Sequence, residues 1–197
     1  MLNRKSWNRQ LEHYYDMVKF ISISPMKITL QLPNKSHQKD YEAMIKEFFE
    51  HGEQIIPQAM IMKSEETFDD FLIRCENYRQ GINMNPEHVP ATLFFMIDET
   101  GKVVGAVAIR HELNERLKLN GGHIGYWVRP SERKKWYASI TLKLALEKCK
   151  ELGIENALIV CKKDNIWSKK VIQKNWWARD SDYEFEWSTK ERYRIKL

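Results

Sequence analysis

Glycine is scarce in this chain, at eight of 197 residues, where about 7% is ordinary, and the sequence has neither an internal repeat nor a low-complexity linker. Cysteine is equally sparse. The three cysteines, Cys75, Cys149 and Cys161, are odd in number and far apart, which excludes a disulfide framework and a C-x-x-C metal pattern. No apolar run approaches the roughly 18 residues a membrane helix needs, so no membrane partner is expected. Near the start, Arg9, Glu12, His13 and Asp16 interrupt any apolar core of a signal peptide. A reducing cytoplasm is the expected setting.

The 197 residues and the 43% hydrophobic and 30% charged content suit one soluble domain with its own core. That domain is expected over residues 26–197, after an N-terminal extension of residues 1–25. The net charge of +5 invites a nucleic-acid reading, because clustered Lys and Arg are the footprint of phosphate binding. The clustering is modest. Lys162, Lys163, Lys169, Lys170 and Lys174 gather late in the chain without the aromatic interleaving of an RNA-binding sheet or a helix-turn-helix pattern. They read as a solvated face or a local anion site, and no nucleic-acid partner is expected.

Alternation from Met26 to Leu32 predicts a strand. Tyr41, Met44, Ile45, Phe48 and Phe49 recur on one helical face, closed by Gly52. Ser64, followed by Glu65 and Glu66, predicts the start of a second helix bearing Phe68, Phe71, Leu72 and Cys75. Leu93 to Ile97, the turn from Asp98 to Gly101, and Val103 to Ile109 form a hairpin. A strand from His123 to Val128 precedes a helix opening near Ser139, with Leu142, Ala145, Leu146, Cys149 and Leu152 on one side and Gly153 as its C-terminal cap. Ala157 to Cys161 reads as a buried strand, Asn165 to Lys174 as a helix and Tyr183 to Ile195 as a terminal hairpin. The order β-α-α-β-β-β-α-β-α-β-β predicts an α/β (α+β) fold, a mixed central sheet flanked by helices.

The turn between the third of the central strands and its helix is the most informative stretch. Arg133, Lys134, Lys135, Trp136, Tyr137 and Ala138 offer backbone donors at the positive end of a helix, a ready anion site. Read as R-x-x-W-x-A, these residues resemble the R/Q-x-x-G-x-G/A loop of the GCN5-related N-acetyltransferases (GNAT). Gly121 to Tyr126, Val128 to Arg133, and Lys163 to Ile166 leading into Val171 to Asn175 extend the resemblance over most of the chain from Met26 onward. The resemblance implies acetyl-CoA as donor, with the backbone of Val128 on the pantetheine arm, residues 133–138 around the pyrophosphate and Asn165 on the far side. It implies acetyl transfer to a primary amine, of a small molecule or a peptide, by direct attack in a ternary complex. The alternative is a catalytically inactive relative that binds acyl-CoA or a partner without turnover.

Such attack needs a neutral amine and hence a base or a water chain leading to one. His123, on the strand entering the site, is the first candidate and Glu112, in the loop after a strand, the second. Where many family members place a thiolate-protonating tyrosine, this chain has Ile172, and Tyr126, Tyr137 or water is left to substitute.

Five of the seven tryptophans depart from the family pattern in a consistent way, whereas Trp127 stands where related transferases also carry tryptophan. Trp136 occupies the loop glycine, Trp167 follows Asn165-Ile166 where a small residue is usual, Trp176 and Trp177 replace a glycine pair, and Trp187 sits at a turn. An indole cannot serve where φ is positive or backbone must approach a ligand closely without strain or a clash. Three readings stand: ordinary packed aromatics in a drifted relative, a protein that has lost its cofactor, or UGA codons that the source organism reads as glycine. UGG codons at 136, 167, 176 and 177 would rule out the last.

Overall fold

The computed structural model describes residues 27–55, 61–175, 178–185 and 188–197. The expected N-terminal extension and Trp176, Trp177 and Trp187 lie outside the described residues.

Burial explains the two central strands. β2 (Ala91–Ile97) and β3 (Val103–Arg110) are covered on both faces, which is why they read as continuous apolar runs rather than alternating ones. They pair antiparallel, with Phe95 opposite Ala106. The short β1 (Thr29–Gln31) flanks β2 and β4 (Ile124–Val128) flanks β3, giving a four-stranded sheet in the order β1-β2-β3-β4. A second sheet has the order β5-β7-β6, from β5 (Asn156–Lys162), β6 (Ala178–Phe185) and β7 (Ser188–Lys196), again antiparallel.

One face of the first sheet is covered by α1 (Gln38–Glu50) and α2 (Phe68–Gln80). Tyr41 lies at the centre of that layer, its ring 5.0 Å from Phe71 and 5.3 Å from Phe95, and its hydroxyl accepts the Met62 amide at 2.8 Å. Beyond a short α3 (Glu115–Leu119), which the sequence reading did not contain, come α4 (Tyr137–Glu151) and α5 (Ile166–Lys174). They cover the opposite face, where Val107, Ile124, Leu142, Cys149, Ile159 and Ile172 share a core. The expected order of strands and long helices is the observed one.

Helix starts moved for identifiable reasons. α2 is capped by Thr67, not Ser64: the Thr67 hydroxyl accepts the Asp70 amide at 3.2 Å and the Asp70 carboxylate accepts the Thr67 amide at 3.1 Å. That reciprocal pair satisfies two end donors where Ser64 has no acid three residues on. α4 begins two residues before Ser139, at Tyr137.

The sheets meet where β4 and β5 begin. The His123 amide donates to the Leu158 carbonyl at 2.7 Å and the Leu158 amide donates to His123 Nδ1 at 3.0 Å. Further along, Tyr126, Trp127 and Val128 line a cleft instead of pairing with β5.

Candidate active site

From Val128 the chain passes through a 3-10 turn, Pro130–Glu132, into the first turn of α4. Two ties hold this corner. Buried Arg129 donates through Nε to Glu47 at 2.6 Å, and the other oxygen of Glu47 accepts the Ser131 amide at 3.2 Å. Buried Glu132 accepts Lys102 at 2.7 Å and Lys135 at 2.8 Å. Burial alone would raise the Glu132 carboxyl, but the two lysines hold it below its ordinary value. Lys134 (φ 65°) and Trp136 (φ 66°) then adopt left-handed backbone, and the first bond of the helix is donated by the Ser139 amide to the Trp136 carbonyl at 3.0 Å, so that the amides before it have no partner within the helix, as at any helix start.

The loop borders a cleft of about 1020 Å³. Val128, Arg133, Lys134, Trp136, Tyr137, Ala138 and Asn165 all line it, so the structure brings together every expected donor-binding residue except Lys135, which turns to Glu132. Tyr137 contributes backbone, its ring being buried beside Ile28 and Val104. Asn165 caps α5, its Oδ1 accepting the Ser168 amide at 3.0 Å.

The mouth is cationic. Lys134, Lys170 and Lys174 join Arg133 there. The Lys174 ammonium lies 3.8 Å from the centre of the Trp136 ring and that of Lys170 5.3 Å from Trp167. Both indoles turn outward, 63% and 73% exposed. Trp136 thus lines the cleft with its ring turned toward solvent. Arg133 reaches across the cleft: Nη1 and Nη2 donate to the two oxygens of Glu53 at 2.6 Å each, and Nε to the Val128 carbonyl at 3.3 Å.

At the inner end, the Tyr126 hydroxyl lies 3.3 Å from Ser168 Oγ. Burial pushes the Tyr126 phenol up to about 12, with the Ser168 hydrogen bond pulling the other way. Ile172 is fully buried behind them and presents nothing to the cleft. Ser168 and Glu53 escaped the sequence reading. For Ser168 the available signal was its place three residues after a capping Asn165; for Glu53 there was none, since it lies on an irregular segment after α1.

The structure does not bring His123 or Glu112 to the cleft. Burial first, then the charges of Arg110 and Arg194, lower the His123 imidazole to about 4, and its Nδ1 lone pair is taken by the Leu158 amide. With that bond the remaining proton lies on Nε2, and the ring ties the two sheets together. Glu112 is exposed in the loop after β3.

Comparison with known proteins gives this geometry a family. An acetyltransferase (GNAT) domain model matches residues 29–175. Among proteins of curated function no sequence matches. Solved structures do. RimL, a ribosomal L7/L12 alpha-N-protein acetyltransferase in complex with coenzyme A, is 17% identical with a TM-score of 0.64 over 90% of this chain and 97% of that one. An acetyl transferase from Salmonella typhimurium that modifies the N-terminal serine of L7/L12 is 16% identical with a TM-score of 0.62 over 90% and 98%. MccE, the microcin C7 self-immunity acetyltransferase in complex with acetyl-CoA and AMP, is 15% identical with a TM-score of 0.61 over 87% and 93%. Identities this low speak for the fold. With the domain model running from β1 to the end of α5, the chain belongs to the GNAT acetyltransferase family.

Proposed function

We propose that the protein transfers acetyl from acetyl-CoA to a primary amine, of a small molecule or a peptide terminus, by direct attack in a ternary complex. The observation that carries this reading is the junction of three features in one cleft: a left-handed loop opening α4, a rim of four cations, and a pair of hydroxyls at the inner end. A diphosphate fits the first two, because helix-terminal amides and flexible cations together bind anions. Lys170 and Lys174 suit a further phosphate at the mouth, and Val128 offers backbone to an amide-bearing arm. Acetyl-CoA bound there supplies an activated acyl group. The residues then hold the acceptor nitrogen against the acyl carbon, where fixed geometry replaces a costly encounter. As the C–N bond forms and the C–S bond breaks, a proton lost from the amine balances one gained by the departing thiolate; Ser168 and Tyr126 are the hydroxyls positioned to hold that sulfur.

The family's solved members support the acceptor class, since RimL is described as acting on a protein α-amine. A second reading, binding without turnover, draws support from His123, whose ring has no lone pair to spare. One experiment tests both. Calorimetry with acetyl-CoA, followed by free-thiol release with a panel of amines and N-terminal peptides, is expected to show binding and acceptor-dependent thiol. Binding without thiol release supports the second reading, and no binding defeats both.

A further inference from the structure

We infer that Glu53 is the anchor for the acceptor's ammonium group, masked by Arg133 until a donor diphosphate takes the arginine away. The inference rests on the reading above.

The argument starts from competition for one guanidinium. Arg133 belongs to the loop that opens α4, yet both of its terminal nitrogens are spent on Glu53, at 2.6 Å to each carboxylate oxygen. A bidentate fork cannot grip a carboxylate and a diphosphate with the same two nitrogens. The side chains are 39% and 38% exposed, so solvent screens the pair, while its bidentate geometry and the position of the guanidinium 5.5 Å from the centre of the Phe48 ring make it stronger than most pairs so exposed. A diphosphate, supported at the same time by helix amides and neighbouring lysines, wins the arginine.

Glu53 then changes character. It lies on the segment leaving α1, held by its own amide to the Phe48 carbonyl at 3.0 Å, and lines the cleft on the wall facing the loop, beside Gln54. The other carboxylate on the cleft, Glu132, is already engaged by two lysines. Without Arg133, Glu53 is an uncompensated negative charge at the edge of a cavity that otherwise presents cations. A primary amine arrives protonated at neutral pH, and Glu53 offers it a charge-assisted hydrogen bond at the mouth; the ammonium then releases one proton to water before the neutral nitrogen moves inward and attacks the acyl carbon. The device imposes an order: donor first, acceptor second.

The substitution E53Q separates the two halves, because it removes the charge and keeps the shape. Acetyl-CoA is expected to bind E53Q about two- to fivefold more tightly than wild type by calorimetry, the factor that release of an exposed ion pair provides. The KM of the best amine acceptor is expected to rise about tenfold while kcat changes less, and wild-type protein is expected to bind that amine only when CoA is present. In R133A the mask is gone, so amine binding no longer requires CoA. Unchanged or weaker acetyl-CoA binding by E53Q, or an unchanged acceptor KM, overturns the inference while leaving acetyl transfer in place. Failure of wild-type protein to bind acetyl-CoA defeats the underlying reading instead.

Discussion

The Leu158 amide donates to Nδ1 of His123 at 3.0 Å, so a side chain supplies the acceptor that a strand carbonyl would ordinarily provide between neighbouring strands. The bond requires a neutral ring. Because the folded value near 4 lies below the ordinary 6.5, the unfolded chain takes up a proton that the folded one refuses. The resulting stability is complete above pH 6.5 and is lost as pH falls toward 4, a change on the order of 2–3 kcal/mol. Urea denaturation between pH 7.5 and 4.5 checks this. H123N, whose amide oxygen can accept the same bond, is expected to flatten the limb between pH 6.5 and 5 while folding at pH 7.5, whereas H123A, which also removes the titrating ring, is expected to cost about 1–3 kcal/mol at pH 7.5 and progressively less as pH falls.

Removing the hydroxyls at the inner end of the cleft is expected to slow chemistry without loosening the donor. S168A and Y126F should each lower kcat by about ten- to a hundredfold, below or at the low end of what a positioned proton donor contributes, with acetyl-CoA affinity by calorimetry within about twofold of wild type. An equal fall in affinity and rate would mark them as binding groups only.

Trp136 makes a sharper prediction. Left-handed backbone costs an L residue about 1–2 kcal/mol, and W136G removes that cost while losing the contact with Lys174, worth about 0.5–1 kcal/mol. Glycine's greater freedom in the unfolded chain takes back about 0.5–1 kcal/mol more, so stability should move by less than about 1 kcal/mol either way. Affinity should not be neutral: with the indole gone, Lys174 is free to turn to a phosphate and W136G should bind acetyl-CoA more tightly than wild type. The codon reading has its own check. UGA at codons 136 and 167, with a peptide mass from the native source showing glycine, would establish it, and UGG would remove it.

The tie between Glu47 and Arg129 is structural, and its loss should be felt in folding. The Arg129 and Glu47 side chains are 9% and 21% exposed. Burial alone would raise the Glu47 carboxyl, but its bonds to Ser131 and Arg129 hold it below its ordinary value. E47A strands a buried guanidinium and is expected to cost about 3 kcal/mol by urea denaturation, with E47D recovering part of it.

Much of this molecule could be read from the chain alone. Elements with strong periodicity, such as the hairpin from Leu93 to Ile109 and the face of Tyr41, Met44 and Phe48, stand where the pattern put them, because burial is what the pattern encodes. The loop from Arg133 to Ala138 was legible for a different reason, being contiguous. β6 was not: it starts at Ala178, well before the expected Tyr183, since Ala178-Arg179-Asp180-Ser181-Asp182 is a solvent-facing edge carrying charges that mask a strand. The hydrogen-bond partner of His123 lies 35 residues away and that of Glu53 lies 80 away. Side-chain roles set by such remote neighbours have no local signature.

Gly122 adjoins His123 at the seam of the two sheets, with φ +66° and space so tight that a Cβ would sit 2.4 Å from the Leu158 carbonyl oxygen. Even alanine there would act as a shim, prying the seam apart at its root, and the gape between β4 and β5 would widen several residues downstream. The spacing of the two sheets at this root is thus set by a missing methyl group, and a substitution at this hinge is expected to reach the cleft, which a screen for altered acyl-chain tolerance would show.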